Sequence, residues 1–266
     1  MPKKKDPSVT FLNKFGYNVV KLPRAGIEPL DVIGIDQTTQ WLGSLTTVWQ
    51  STVAVPEPSA PRPASPVNGQ KTDQLDLNFG LQILSNALAA FGATAPSLDL
   101  AYKRARKVQF SYTNVTSTVV SPLEAGNYLA SGTLNTSNPV VRHYFMEPDS
   151  QAFLIVDVLK SDSITVTALD EHGAEVGVDV PAIEGILGAS IKVKPGSASN
   201  SSITYSGPQP VTFGFAVDEI MFDNGRWSLA GAAPSGGLAF AAVTATTATT
   251  ATTAPIILGT GCRVRV

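Results

Sequence analysis

The chain has 266 residues, of which 43% are apolar and only 15% charged, with a formal net charge of −2. This length suits one large domain or two small ones with a sizeable core, and the near-neutral balance excludes a global basic field for nucleic acid. The single cysteine, Cys262, excludes an intramolecular disulfide and a cysteine-built zinc site.

At the N-terminus Lys3, Lys4 and Lys5 form a positive cluster with no apolar stretch behind it, so the segment does not read as a secretory signal. No window of about 18 apolar residues offers a membrane-spanning helix. The expectation is a protein made soluble in the cytoplasm. The glycosylation-type tripeptides at Asn114, Asn135 and Asn200 then read as chance matches.

In chain order, residues 16–23 form a β-branched run closed by proline, a strand signal, and residues 31–35 form another. Residues 41–55, rich in Thr, Val and Trp, favour strand again. Five prolines between positions 56 and 66 predict an extended loop. A helix follows, with Asp73 as the expected cap. Leu77, Leu81, Leu84, Leu88 and Phe91 recur at helical spacing, and Gly92 and Pro96 stop it. A second helix is predicted from Ser97, carrying Tyr102, Lys103, Arg104, Arg106 and Lys107.

The period then changes to two. Val108, Phe110 and Tyr112 alternate with polar partners, loosely as far as Val120. Residues 152–169 read as one long strand or two joined at Ser161. His172 and Gly173 mark a turn, with a strand expected over 175–180. Residues 189–196, 201–207 and 210–229 complete a β-rich second half, and Asp223-Asn224-Gly225 is the best hairpin turn. From Ala230 the composition shifts to an Ala/Thr repeat of period three, the signature of a linker, followed by a short apolar end.

The chain carries no recognisable catalytic signature. Its two histidines, His143 and His172, have no second metal-ligand type at useful spacing, and no nucleophile elbow, phosphate loop or dinucleotide fingerprint occurs. Asp170 and Glu171 sit beside a turn, where solvated carboxylates are routine. Asp157, Asp162, Asp179 and Asp218 fall in expected strands, and a hydrolase would require at least two of them to converge. The group Lys103, Arg104, Arg106 and Lys107 reads either as a solvated face or as a contact for anionic lipid headgroups, worth roughly 1 kcal/mol per basic residue. Residues 108–120 and 152–169 are long enough to cross a bilayer as tilted strands, which need about 9–11 residues, although a half-buried soluble sheet shows the same alternation.

Residues 11–34, the run LIVDVLKSDSITVTALDEHG and the segment PVTFGFAVDEIMFDNGRWSL resemble bacterial gasdermins in order and spacing, from about Phe11 to Leu229. The resemblance implies an α+β fold, a twisted central antiparallel sheet with peripheral helices, in a body of residues 1–240. It implies an inhibitory tail over residues 241–266. No enzyme activity, cofactor, metal or nucleic acid is expected. The implied partners are an activating protease encoded nearby, anionic membrane lipids and, after cleavage, further copies of the chain. The chain would move from the cytoplasm to the inner membrane and open a lethal pore, commonly as defence against phage.

Lys103, Arg104, Arg106 and Lys107 would then contact lipid, and residues 108–120 and 152–169 would supply membrane hairpins. Ile256, Ile257 and Leu258 would anchor the tail, burial of three such side chains contributing on the order of 5 kcal/mol before ordering costs. The tether raises their effective concentration until it is cut. Between Trp227 and Gly261 there is no Lys, Arg, Asp or Glu. Cleavage within that span therefore follows a small or apolar residue, with Leu238, Phe240 and Val243 as the expected sites. Members of the family often carry an acylated cysteine within their first few residues; none stands there in this sequence, and Lys3, Lys4 and Lys5 are the available electrostatic replacement. The alternative is a β-rich structural protein whose flexible tail docks on a neighbouring subunit.

Overall fold

A computed structural model describes residues 12, 16–24, 26–36, 39–93, 98–187, 191–223 and 225–231. The expected lysine cluster Lys3, Lys4 and Lys5, the cleavage positions Leu238, Phe240 and Val243 and the anchor Ile256, Ile257 and Leu258 lie outside the described residues.

From the N-terminal side come β1 (Asn18–Arg24), β2 (Asp31–Ile35), β3 (Thr39–Ser44), a single helical turn α1 (Leu45–Val48) and β4 (Trp49–Ser51). The predicted strand over 41–55 is thus broken in its middle by a turn of helix. The proline-rich stretch contributes only β5 (Arg62–Pro63), a two-residue edge, and β6 (Leu75–Asp76) leads into helix α2 (Leu77–Ala90). Strands β7 (Lys107–Thr113) and β8 (Thr116–Val119) follow, then α3 (Pro122–Ala130), β9 (Gly132–Leu134) and α4 (Pro139–Met146). The second half holds β10 (Gln151–Leu169), α5 (Val180–Leu187), β11 (Lys192–Pro195), β12 (Ser202–Asp223) and β13 (Arg226–Gly231).

The 19-residue β10 and the 22-residue β12 run antiparallel as the axis of the sheet. Around one end the strand order is β1-β12-β10-β2-β3; toward the other, β7 joins β10 and β11 joins β12. Strand β10 therefore changes its outer neighbour along its length: β2 at residues 151–154, β8 at 157–160 and β7 at 163–169. Register shifts near Asp157 and Ser161 divide these three zones, and such bulges add local twist. The predicted break at Ser161 is one of these shifts within a continuous strand.

Residues 207–210 of β12, which include Pro208 and Pro210, have no ladder partner on β10. The pairing passes from Ser163 with Ser206 directly to Ser161 with Val211. Proline can stay within so long a strand because its missing N–H falls where no ladder bond is required.

Helix α2 covers one face of the β7 end through Leu81, Leu84, Leu88 and Phe91, all buried against Val108, Phe110, Ile164, Val166 and Ile203. Its cap is Asp76, whose carboxylate accepts the N–H of Asn78 at 3.0 Å, and not the expected Asp73. The reason is that Leu75 and Asp76 are still paired with β7, which keeps the chain extended until that point. Gly92 adopts φ +102, a left-handed conformation that closes the helix and favours glycine. A second core beneath α3 and α4 gathers Val32, Trp49, Tyr128, Phe145 and Leu154, and a third on the opposite sheet face gathers Ile33, Phe153, Ile155 and Phe215.

Three further predicted elements are corrected. The run 108–120 is not one strand, since Asn114, at φ +55, turns the chain between β7 and β8. The segment from Leu98 to Arg106 forms consecutive turns, not a helix: Leu98, Ala101, Tyr102 and Ala105 are buried, and the Arg106 N–H is already taken by the Leu169 carbonyl at the end of β10. The strand expected over 175–180 is irregular apart from one bridge between Glu175 and Leu169, and Val180 already opens α5 with Asp179 as its cap.

Candidate functional site

Beyond the bulge at Ser161, strands β7, β10, β12 and β11 form a sheet with two chemically opposed faces. Direct pairing aligns Ile164 with Tyr112 and Tyr205, and Val166 with Phe110 and Ile203, so these apolar side chains share the face under α2. The alternate positions are hydroxyl-bearing. Ser163 stands between Thr113 and Ser206, Thr165 between Ser111 and Thr204, and Thr167 between Gln109 and Ser202. Across β10 and β12 these hydroxyls pair: Thr165 Oγ1 lies 2.8 Å from Thr204 Oγ1, and Ser163 Oγ 3.0 Å from Ser206 Oγ.

The basic group sits at the end of this same ribbon, where β10 finishes, β7 begins and β12 starts. Lys103 and Arg104 are exposed and line a groove of about 320 Å³ with Asp179, Ser199 and Asn200. Arg106 is exposed, and its Nη1 donates to the Ala105 carbonyl at 3.2 Å. Lys107 opens β7, and its ammonium donates to the Glu171 carbonyl at 3.0 Å. Buried neighbours fix the turn: the Tyr102 hydroxyl meets that of Tyr205 at 2.7 Å, and burial raises the Tyr102 pKa well above its usual value. All four predicted cations therefore share one end of the sheet, interspersed with the carboxylates of Asp179, Asp170 and Glu171.

The scattered carboxylates do not form a joint centre. Asp157 accepts from the hydroxyls of Tyr17 at 2.6 Å and Ser117 at 2.7 Å, and Asp162 accepts from Asn114 at 3.1 Å. Asp170 closes its turn by accepting the N–H groups of His172 and Ala174, which hold its pKa below the ordinary carboxylate value. Among the described residues no group of three His, Cys, Asp or Glu side chains is placed to hold a metal ion, and no helix is long and apolar enough to cross a membrane.

One polar cluster was not foreseen. His143, in the last turn of α4, approaches Asp36 Oδ2 with Nε2 at 3.1 Å and Glu147 Oε2 with Nδ1 at 2.6 Å. Those hydrogen bonds raise its pKa. The i, i+4 spacing of His143 and Glu147 was readable, but the approach of Asp36 from the end of β2 was not.

A family model described as the Bacterial Gasdermin Family matches residues 20–227. A gasdermin from Vitiosangium sp. is 37% identical over 89% of this chain and 88% of its own length, and one from a Desulfuromonadales bacterium is 30% identical over 90% of each. The solved structure of a bacterial gasdermin from Bradyrhizobium tropiciagri has the same fold, with a TM-score of 0.60 over 85% of this chain and 91% of its own, at 18% identity. These matches run through the two-faced ribbon and the basic turn. The chain belongs to the bacterial gasdermin family, a family of pore-forming proteins.

Proposed function

We propose that this protein is held inactive in the cytoplasm by its C-terminal residues 241–266. A protease removes them by cutting near Leu238, Phe240 or Val243, and the body then assembles in the inner membrane into a lethal pore, as a defence against phage. The observation that carries the reading is the covered apolar face of β7, β10 and β12. It is a large apolar surface hidden by a helix and loops, with a cationic turn at its end, and two of its strands, β10 and β12, are long enough to span a bilayer. A bilayer admits strands only as closed barrels with every backbone group paired, so insertion requires several copies side by side. Lys103, Arg104, Arg106 and Lys107 would bring that end to anionic headgroups before insertion.

Comparing residues 1–240 with the full chain tests this directly. The shortened chain should arrest bacterial growth and release dye from anionic liposomes, while the full chain does neither until it is cleaved. Equal behaviour of the two would remove autoinhibition, and a tail that instead dissolves an oligomer when deleted would support the docking alternative.

A further inference from the structure

Resting on that reading, we infer that the hydroxyl face of β7, β10, β12 and β11 becomes the water-facing wall of the pore, and that its lysines make the passage favour anions. The two faces differ enough to fix the orientation. One carries Val108, Phe110, Tyr112, Ile164, Val166 and Ile203, all buried in the soluble state. The other carries Ser, Thr and Gln at Thr113, Ser111, Gln109, Ser163, Thr165, Thr167, Ser202, Thr204 and Ser206, with one apolar residue, Leu169, at its end opposite Lys107. Turned toward hydrocarbon, the hydroxyls would keep only one another as partners and lose water, whereas the apolar set exchanges α2 for lipid at the cost of one contact, that between the Tyr205 and Tyr102 hydroxyls. Strand alternation then assigns every other side chain along the ribbon to water.

The charges on the wet face are unbalanced. Lys192 pairs with Ser206 and Lys194 with Thr204, so both ammonium groups stand on the hydroxyl side, and both are exposed. Lys107 joins them at the β7 end, and Lys71 is bridged to Ser111. The acidic side chains at the margin are Asp76, opposite Lys107, and Glu175, bridged to Leu169, against the four lysines. At the paired positions of the ribbon beyond Ser163, no acidic residue of β7, β10, β12 or β11 falls on this face. Each copy thus adds a net positive stripe to the wall, and a ring of copies repeats it.

The test uses the full chain with Cys262→Ser and a specific protease site inserted in the tail, cleaved on liposomes so that the pore forms in place. Single cysteines replace Thr165 or Thr204 on one face and Val166 or Ile203 on the other. After insertion, a charged thiol reagent confined to water should label T165C and T204C at least about ten-fold faster than V166C and I203C, because reaction requires a hydrated thiolate. Similar rates on both faces, or the reverse order, overturn the face assignment.

The sign of the wall is read in planar bilayers under a KCl gradient at low ionic strength, where a charge is felt over about 30 Å at 0.01 M. The reversal potential should lie on the chloride side, K192Q/K194Q should bring it toward zero, and T165E should carry it toward potassium. A cation-selective pore, or a potential indifferent to these substitutions, overturns the charge assignment. Absence of any conductance after cleavage counts instead against the pore-forming reading on which the inference stands.

Discussion

If the apolar face of the ribbon must meet lipid, helix α2 has to leave it, and a covalent tie between the two should stop the protein after cleavage. Gly80, in the first turn of α2, lies directly over Val108 of β7. A Cβ built at Gly80 falls 3.6 Å from the Val108 Cβ, within the range that a disulfide spans. Cysteines at both positions, with Cys262→Ser to prevent mispairing, would close a loop of about 28 residues. The chain-entropy relation gives about 3.6 kcal/mol of stabilisation to the covered state. The oxidised G80C/V108C protein should melt higher than the reduced form and release no dye from liposomes after tail cleavage. Adding reductant to the same sample should restore release within the time that reduction takes. Leakage by the oxidised protein at the rate of the reduced one, with the cross-link verified by mass, would show that α2 stays in place and that the apolar face under it is not the membrane-facing surface.

Four further outcomes are expected. Leu84→Ala empties a fully buried position under α2 and should cost about 2–5 kcal/mol in urea unfolding, while speeding dye release after cleavage. Gly207→Ala places a methyl 2.7 Å from the Phe91 Cβ, in contact with its ring, and should cost about 1–3 kcal/mol through overpacking, read as a lower urea midpoint at unchanged slope. Replacing Lys103, Arg104 and Arg106 together by Gln should weaken binding of the cleaved protein to anionic vesicles by about 1 kcal/mol per charge, an effect that fades with added salt. His143 gains its carboxylate partners on folding, so its pKa is higher folded than unfolded. Its contribution is fully present below the ordinary histidine value of 6.5 and is lost as pH rises through the elevated one. The melting temperature should therefore fall across that window, and His143→Gln should flatten the fall.

Much of this fold is written in local periodicity. Leu77 to Phe91 announced α2, residues 152–169 announced the central strand, and Gly225, at φ +78, ends the hairpin turn expected there. What failed did so where tertiary pairing overrode local preference. Leu98, Ala101, Tyr102 and Ala105 are buried at helical spacing, but β7 is already paired with β10 from Lys107, so only turns fit before it. Helices α3 and α4 have start signals in the sequence, Ser121-Pro122 and Asn138-Pro139, with Ser121 and Asn138 accepting the N–H groups of Glu124 and Val140.

The site was legible in part. The alternation SITVTAL and SITYSG shows that Ser163, Thr165, Thr167, Ser202, Thr204 and Ser206 share a parity within each strand. Only the register across strands, set by the bulge at Ser161, shows that the parities coincide and that Lys192 and Lys194 fall on the same side.

The unpaired excursion of β12 opposite Asp162 acts as a firebreak in the sheet. Strand separation travels along a ladder one hydrogen bond at a time, and at residues 207–210 there is no ladder to carry it. On the proposed reading, the ribbon beyond Ser163 would open and rebuild while the portion anchored by β1, β2 and β13 keeps the cores around Leu154 and Phe153, which lie wholly within it. Half of the central sheet would thus be given up without unfolding the rest, and the surviving half would be a rigid handle by which neighbouring copies are set in register.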